Sequence, residues 1–336
     1  MLYLKSGSPE KIKTQAIVIP VCRDHELYSD KVLSSLIQGA KKRKEFNGDE
    51  KDELIFFDLP RIKAERIIFV GMGKISEIKA ESFRSIAGNY VRKCINKGLS
   101  DILIAVPHPS KVQIEISVIL EAVLEGAYLG NHIFDKYKNE KKYKPLKKIG
   151  LLTTSAKEKQ NQYLLRQVKT ICDGTILARN WVSTPPNDKK PEQFARAVAE
   201  SAGKEKIKVR ILDEKEIKKL KMGALLAVAA GSNSKPRLLL MEYRPERAKK
   251  TTALVGKGVT FDSGGINLKQ SGSIEDMKMD MAGAAAVAAT LITVARLGLK
   301  KNIIGVIPIV ENMPSGTAAR PGDIIKSYAG KTIEVG

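Results

Sequence analysis

Apolar residues alternate between two spacings along most of the chain. Short segments rich in β-branched residues and bounded by Pro, Gly or charge are typical of strands, and in the first half they lie at 14–21, 52–59, 65–73 and 101–107. Between them, the segments 81–98 and 110–130 repeat their apolar residues every three or four positions, which indicates helices. This alternation predicts an α/β domain with a largely parallel sheet.

A lysine-rich connector at 136–150 follows, and 147–155 is predicted to be the last strand of this domain. A long helical period at 157–182 then stops at consecutive prolines, which cannot continue a helix. Beyond them the alternation resumes. Helices are predicted at 191–203 and 282–298, and strands at 207–213, 237–243, 251–258, 301–310 and 331–336.

The pattern divides the chain into three parts. We predict an N-terminal α/β domain at 1–155, a helical linker and domain entry at 156–190, and a C-terminal mixed-sheet α/β domain at 191–336. The length of 336 residues agrees with more than one domain. With 43% hydrophobic and 28% charged residues, each domain can bury a core.

The composition also bears on the cellular compartment. No apolar run reaches the about 18 residues of a membrane span, and the N-terminus lacks the apolar stretch of a signal peptide. The cysteines Cys22, Cys94 and Cys172 are spaced too widely for a disulfide framework or a metal clip. These features predict a cytoplasmic protein that does not use a membrane.

The chain is strongly basic, with 58 Lys and Arg against 37 Asp and Glu and a net charge of +21. Such a charge attracts polyanions, so nucleic acid is one candidate partner. The connector at 136–150 holds seven lysines and one glutamate. There is, however, no zinc-finger spacing, RNP aromatic signature or basic zipper. Because the lysines elsewhere alternate with acids, we interpret most of this charge as solvated surface.

The candidate chemistry lies in the glycine-rich stretch 255–286, which follows a predicted strand. Its Asp-Ser-Gly-Gly sequence at 262–265 is similar to a serine-protease nucleophile loop, but Phe261 stands where that loop has glycine. The three histidines, His25, His108 and His132, all lie in the other predicted domain, so Ser263 has no evident base. The spacing of a phosphate-binding loop is absent as well.

Lys257, Asp262, Lys269 and Asp280 remain, around a turn at the carboxyl end of a strand, where open α/β sheets bind ligands. Carboxylates without His or Cys suit Mn²⁺, Mg²⁺ or Zn²⁺. A lysine amine binds a metal only when a nearby dication lowers its pKa from about 10.4. A second, charged lysine can bind a developing oxyanion. On spacing alone, exposed salt bridges explain these residues equally well.

Several ordered motifs resemble one known family. They are Gly256-Lys257-Gly258, the segment 261–265, Lys269 and Asp280-Met281, with further agreement at 126–138, 178–187, 311–316 and 320–325. The stretch closely resembles the leucyl aminopeptidase family, the cytosol aminopeptidases that use two metal ions. The resemblance covers the second half strongly and the first half weakly, and it implies that the second domain is the catalytic one.

The resemblance implies removal of N-terminal amino acids, leucine preferred, from peptide substrates with two divalent metal ions, Mn²⁺ or Zn²⁺, per subunit. It makes Lys257 a neutral amine ligand of one metal, Asp262 a carboxylate shared by both, and Asp280 a further ligand beside Lys257. A metal-bridging water is then the nucleophile, and Lys269 is the catalytic lysine that polarises the peptide carbonyl and stabilises the gem-diolate.

The same resemblance assigns substrate contacts and assembly. Lys257, Asp262, Lys269 and Asp280 would contact the bound peptide, and Met277 matches a position that helps to wall the pocket for the first side chain. Simple packing of Met277 is the alternative. The family forms homo-hexamers, so a hexamer is expected.

Three residues depart from the family pattern. Gln270 stands where proline is frequent, Glu275 where aspartate is common, and Asp276 where the family has an apolar residue. We expect altered loop geometry from these changes rather than lost chemistry. Asp276 is interpreted as a solvated acid.

In the family, the strand that resembles 331–336 continues into a segment with two more carboxylate ligands and a catalytic arginine. We therefore expect this chain to be a fragment whose catalytic domain is incomplete at its C-terminus and inactive alone. Two alternatives stay open: a basic nucleic-acid-binding protein on this scaffold, and a non-catalytic subunit.

Overall fold

The computed structural model describes residues 1–42, 46–245 and 250–336. The chain divides into two compact units, 1–172 and 173–336. The boundary falls inside one long helix, α4 (Lys159–Ser183). Both units combine helices with a β-sheet, so the predicted α/β class is confirmed.

The first unit is built on a six-stranded sheet in the order β1-β6-β5-β2-β4-β3. Neighbouring strands are parallel except at β3–β4, so the expected largely parallel sheet is present. Its strands are β1 (Leu2–Lys5), β2 (Ala16–Val21), β3 (Glu53–Phe57), β4 (Arg66–Gly71), β5 (Asp101–Ala105) and β6 (Lys148–Leu152). Strand β1 was not predicted, because four residues are too few to show an apolar period.

Among its described residues, the α-helices that lie wholly in this unit are α1 (Lys31–Lys42), α2 (Ala80–Asn96) and α3 (Ile116–Gly130). Helices α2 and α3 touch through their backbones, since a Cβ on Gly126 would lie 2.1 Å from the carbonyl oxygen of Arg84. The buried strand β2 lies at the centre of the core.

The lysine-rich connector joins α3 to β6 and is exposed from 136 to 145. Asn131 ties its two ends together, because its side-chain oxygen accepts a hydrogen bond from the Leu146 amide at 2.7 Å and its side-chain nitrogen donates to the Leu146 carbonyl at 3.1 Å. Two tyrosines of the connector each lie beneath a lysine, with Lys136 Nζ 5.0 Å from the Tyr137 ring centroid.

The second unit has a mixed sheet around β11 (Asn302–Asn312), as predicted. Strand β11 pairs antiparallel with β8 and parallel with both β9 and β10. The other strands of this sheet are β7 (Lys208–Leu212), β8 (Arg237–Tyr243), β9 (Thr251–Val255) and β10 (Gly258–Asp262). A separate hairpin consists of β12 (Ile324–Lys326) and β13 (Thr332–Glu334). The strand predicted at 251–258 therefore ends earlier, at Val255, and β10, most of which was not predicted, begins at Gly258.

Helices α5 (Pro191–Ala202), α6 (Glu214–Lys219), α7 (Gly223–Ala229) and α8 (Ala282–Arg296) complete this unit. The helical stretch Glu275–Arg296 is long and apolar enough to cross a membrane by length and composition alone, which differs from the expectation of no such run. Helix α8, however, buries Ala284, Ala288 and Leu291 in the core of the unit. That packing accounts for its apolar composition.

Burial of the cysteines predicts a thiol chemistry that can be tested. Burial raises the pKa of Cys22 to about 12 and that of Cys94 to about 11, and Cys172 is also buried. At pH 8 we expect Ellman's reagent to react with none of the three thiols within minutes in the native chain, and with all three in guanidinium. Rapid reaction of any native thiol would contradict this burial.

Candidate functional site

The four candidate residues of the glycine-rich stretch form two lysine–carboxylate pairs in the second unit, Lys257 with Asp280 and Lys269 with Asp262. Lys257 lies between β9 and β10, and Asp262 is the last residue of β10. Lys269 follows in the next turn, and Asp280 comes directly after a short 3₁₀-helix, Glu275–Met279. Strand β10 contacts that 3₁₀-helix.

A tight turn at 262–265 sets the direction of Asp262. Gly264 and Gly265 have φ of 92° and 71°, a conformation that glycine adopts without strain. Ser263 Oγ donates to the Asn312 carbonyl at 2.8 Å, and the Lys269 amide donates to the Ser263 carbonyl at 2.9 Å. Ser263 therefore holds the turn to β11, as its burial requires, and the glycines permit the turn.

Both carboxylate oxygens of Asp262 have polar partners. Its Oδ1 accepts hydrogen bonds from the Gly264 amide at 3.0 Å and from Asn312 Nδ2 at 2.8 Å. Its Oδ2 lies 3.1 Å from Lys269 Nζ. Burial acts to raise the pKa of this carboxyl, but the bonds from Lys269, Gly264 and Asn312 outweigh burial and hold the pKa below its usual value. Asp262 is thus an anion at neutral pH.

Asp280 is paired on one side only. Its Oδ1 lies 2.8 Å from Lys257 Nζ, while its Oδ2 is buried and has no hydrogen-bond partner. The Lys257 side chain is 62% exposed, so this ion pair is worth at most about 1 kcal/mol. An unpartnered buried oxygen costs about 1–3 kcal/mol. The imbalance marks Asp280 as a residue held ready for a further positive partner.

Close backbone packing brings Lys257 and Asp280 together. A Cβ on Gly256 would lie 2.6 Å from the Gly283 carbonyl oxygen, so the turn before β10 and the start of α8 touch without side chains between them. The Ala284 amide donates to the Lys257 carbonyl at 2.9 Å. The residue types at 256, 283 and 284 therefore create the contact.

This donor set fits a divalent ion at Lys257 and Asp280. The unpartnered Oδ2 of Asp280 supplies an anionic oxygen, and the Lys257 amine supplies a nitrogen once it has lost its proton. Asp262 fits a metal only if Lys269 releases its Oδ2. In the described ranges 1–42, 46–245 and 250–336, no three His, Cys, Asp or Glu side chains cluster as a metal site.

The residues that precede Asp280 differ in their surroundings: one is half-buried, one is exposed to solvent, and one binds the preceding loop. Met277 is half-buried in the 3₁₀-helix, and Asp276 is exposed, in agreement with its interpretation as a solvated acid. Glu275, where the family has aspartate, accepts hydrogen bonds from Ser271 Oγ and the Gly272 amide at 3.0 and 2.6 Å. Glu275 therefore closes the loop at 271–275.

Sequence reasoning missed two residues of this region. Asn312, which binds Asp262, lies within a motif that the sequence analysis quoted but gave no role. Lys189 donates to the Lys278 carbonyl at 2.7 Å. No spacing distinguishes Lys189 among the 58 basic residues of the chain.

The fold and the site define a two-unit α/β protein with two lysine–carboxylate pairs, one beside the turn after β9 and one at the carboxyl end of β10. The "Cytosol aminopeptidase family, catalytic domain" matches residues 176–336, and the N-terminal domain of the same family matches 22–141. The chain belongs to the cytosol aminopeptidase family. The family resemblance stated from the sequence is confirmed.

Curated relatives agree along nearly the whole chain. A probable cytosol aminopeptidase of Pseudomonas fluorescens strain Pf0-1 is 37% identical over 343 residues, covering 99% of this chain and 69% of the relative. One of Streptomyces avermitilis is 42% identical over 287 residues, covering 81% of this chain and 54% of the relative. These relatives favour a peptidase over the nucleic-acid-binding alternative.

Solved structures share the fold. A mutant of tomato leucine aminopeptidase aligns with a TM-score of 0.83 at 26% identity, covering 99% of this chain and 67% of that one. The bottromycin maturation enzyme BotP, in complex with Mn, aligns with a TM-score of 0.78 at 27% identity. It covers 96% of this chain, and this chain spans 65% of BotP.

The close packing at Gly256 predicts a stability effect. In Gly256→Ala the new methyl group meets the Gly283 carbonyl, and we expect the free energy of unfolding to fall by about 1–3 kcal/mol in a urea titration. The control is Gly316→Ala, where a Cβ meets nothing within 4 Å. Equal stability of the two variants would contradict the close approach.

Proposed function

We propose that this chain carries the catalytic site of a metal-dependent aminopeptidase that removes N-terminal amino acids from peptides, with leucine preferred. The observation that carries the proposal is the buried, unpartnered Oδ2 of Asp280 beside Lys257. The family, the likeness to tomato leucine aminopeptidase and the Mn complex of BotP support it.

Two divalent ions, Mn²⁺ or Zn²⁺, complete the proposed site. Lys257 and Asp280 would hold one of them, and Asp262 would supply a carboxylate to the pair if Lys269 released its Oδ2. Such ions polarise a carbonyl and lower the pKa of a bound water. Two features of the chain suit such ions. Hydrogen bonds keep the Asp262 carboxylate ionised, and one oxygen of the Asp280 carboxylate accepts no hydrogen bond.

Lys269 is the proposed catalytic residue. Its Nζ lies 3.1 Å from Oδ2 of Asp262. Once it leaves Asp262, the ammonium can donate a hydrogen bond to the peptide carbonyl oxygen. It then stabilises the negative charge that grows on that oxygen in the transition state.

The substrate is bound through its free α-amine in this proposal, which limits cleavage to the first residue. Met277 walls the pocket for that residue, and the same four polar side chains contact the peptide. Assembly as a homo-hexamer and a cytoplasmic location belong to the same proposal. They rest on the family to which the chain belongs.

Metal binding by Asp280 can be tested on this chain. In Asp280→Asn an amide replaces the carboxylate, and we expect the affinity for Mn²⁺ to fall by at least about tenfold in calorimetric titration. The matched control is Asp276→Asn, which removes the same charge from an exposed position four residues away. An equal loss in both variants would mean that the ion follows overall charge and would contradict the assigned ligand.

The catalytic role of Lys269 can be tested in a preparation of the protein that hydrolyses leucine p-nitroanilide. There, Lys269→Ala is expected to lower kcat by about 10²–10³-fold, because the transition-state donor is lost. The metal content, measured by atomic absorption, should stay unchanged. Normal turnover by this variant would refute the catalytic role, and loss of the metal would reassign Lys269 to support of the site.

A further inference from the structure

Lys189 is a buried cation with no carboxylate among its hydrogen-bond partners. It follows the 3₁₀-helix Pro186–Asp188 and is 2% exposed, and it is the one charged residue among the buried residues that the structure describes. Its Nζ donates to the carbonyls of Trp181 and Val182, each at 3.0 Å, and of Lys278 at 2.7 Å. An ammonium has three N–H donors, so all of them are used.

Two of these carbonyls belong to the last turn of α4. The final carbonyls of a helix lack intrahelical partners and carry its partial negative charge. The ammonium satisfies two of them and gains from that charge, which offsets part of the cost of burial. Burial, followed by the positive charge of Lys278, lowers the pKa of Lys189 to about 8, so the amine still holds its proton at pH 7.

The third carbonyl lies in a different part of the unit. Lys278 belongs to the 3₁₀-helix Glu275–Met279, which ends at the residue before Asp280. That helix is mostly exposed. At its two ends the Met277 amide donates to the Ile274 carbonyl at 3.0 Å and the Asp280 amide donates to the Met277 carbonyl at 3.3 Å. Such short helices have weak hydrogen-bond geometry, so an external tie matters for their position.

We propose that Lys189 is a positioning residue for Asp280, whose ammonium fastens the Lys278 carbonyl to the end of α4 and so fixes the segment that presents the Asp280 carboxylate. The tie acts through the backbone and does not require Lys189 to touch substrate or metal. Its consequence for metal affinity rests on the proposed function. Its consequence for the segment 275–280 does not.

The first test measures hydrogen–deuterium exchange of the metal-free chain at pH 7. Lys189→Met keeps the length of the side chain and removes its donors. We expect amides at 277–280 to exchange about tenfold faster, as the segment opens locally. Lys190→Met, an exposed neighbour, controls for the lost charge.

A second control separates positioning from simple support of α4. Thr184 bonds only the same helix end, donating from Oγ1 to the Asn180 carbonyl at 2.8 Å. Thr184→Val should lower the melting temperature without faster exchange at 277–280. If it accelerates that segment as much as Lys189→Met does, or if Lys189→Met leaves it unchanged, the proposal is overturned.

The second test is Mn²⁺ titration of the same variants. We expect Lys189→Met to weaken binding by about tenfold and the two controls to leave it unchanged. Unchanged affinity in Lys189→Met would overturn the positioning role. If the unaltered chain bound no Mn²⁺, the proposed function would fail, and the exchange comparison alone would decide the tie. Should Lys189→Met not fold, Lys189→Gln, with a shorter side chain and two donors, replaces it.

Discussion

The candidate site depends on the close approach of α8 to the turn between β9 and β10. A Cβ on Gly256 would lie 2.6 Å from the Gly283 carbonyl oxygen, and a Cβ on Gly283 would lie 3.2 Å from the Lys257 amide nitrogen. The Ala284 amide also donates a hydrogen bond to the Lys257 carbonyl. Lys257 and Asp280 meet because their backbones are fixed in this way. Their attraction alone could not hold them, since an exposed ion pair contributes at most about 1 kcal/mol. Backbone packing, more than the attraction between the two charges, therefore determines the position of Lys257 beside Asp280.

The two carboxylates of the site are held in opposite conditions. Asp262 accepts from the Gly264 amide, Asn312 and Lys269, so its charge is stabilised within the protein itself. Asp280 has one partner and one buried oxygen without any. An unsatisfied buried oxygen costs about 1–3 kcal/mol. A cation bound beside Asp280 would offset that cost, which is the basis of the metal site proposed above.

Strong local patterns were predictable from the sequence, and tertiary contacts were not. Strand β8 spans the predicted range 237–243. Its seven residues are mostly apolar and too few for a typical helix, so the local pattern favours a strand. The strand predicted at 251–258 ends before Gly256, the residue whose backbone packs against the start of α8. A contact between residues so far apart in sequence cannot be predicted from a local pattern. Likewise the spacing selected the four site residues but could not say which lysine pairs with which carboxylate.

Lys189 shows why a buried charge escapes prediction. Its partners are backbone carbonyls, which every residue possesses, so no side-chain pattern announces them. Net charge counts Lys189 as one of 58 basic residues, most of which the sequence analysis interpreted as solvated surface. Yet three carbonyls, two of them at a helix terminus, can hold an ammonium inside a protein without an acid. The number of basic residues therefore indicates the charge of the protein surface. Whether a single lysine can be buried depends on how many backbone carbonyls the fold places within reach of its ammonium.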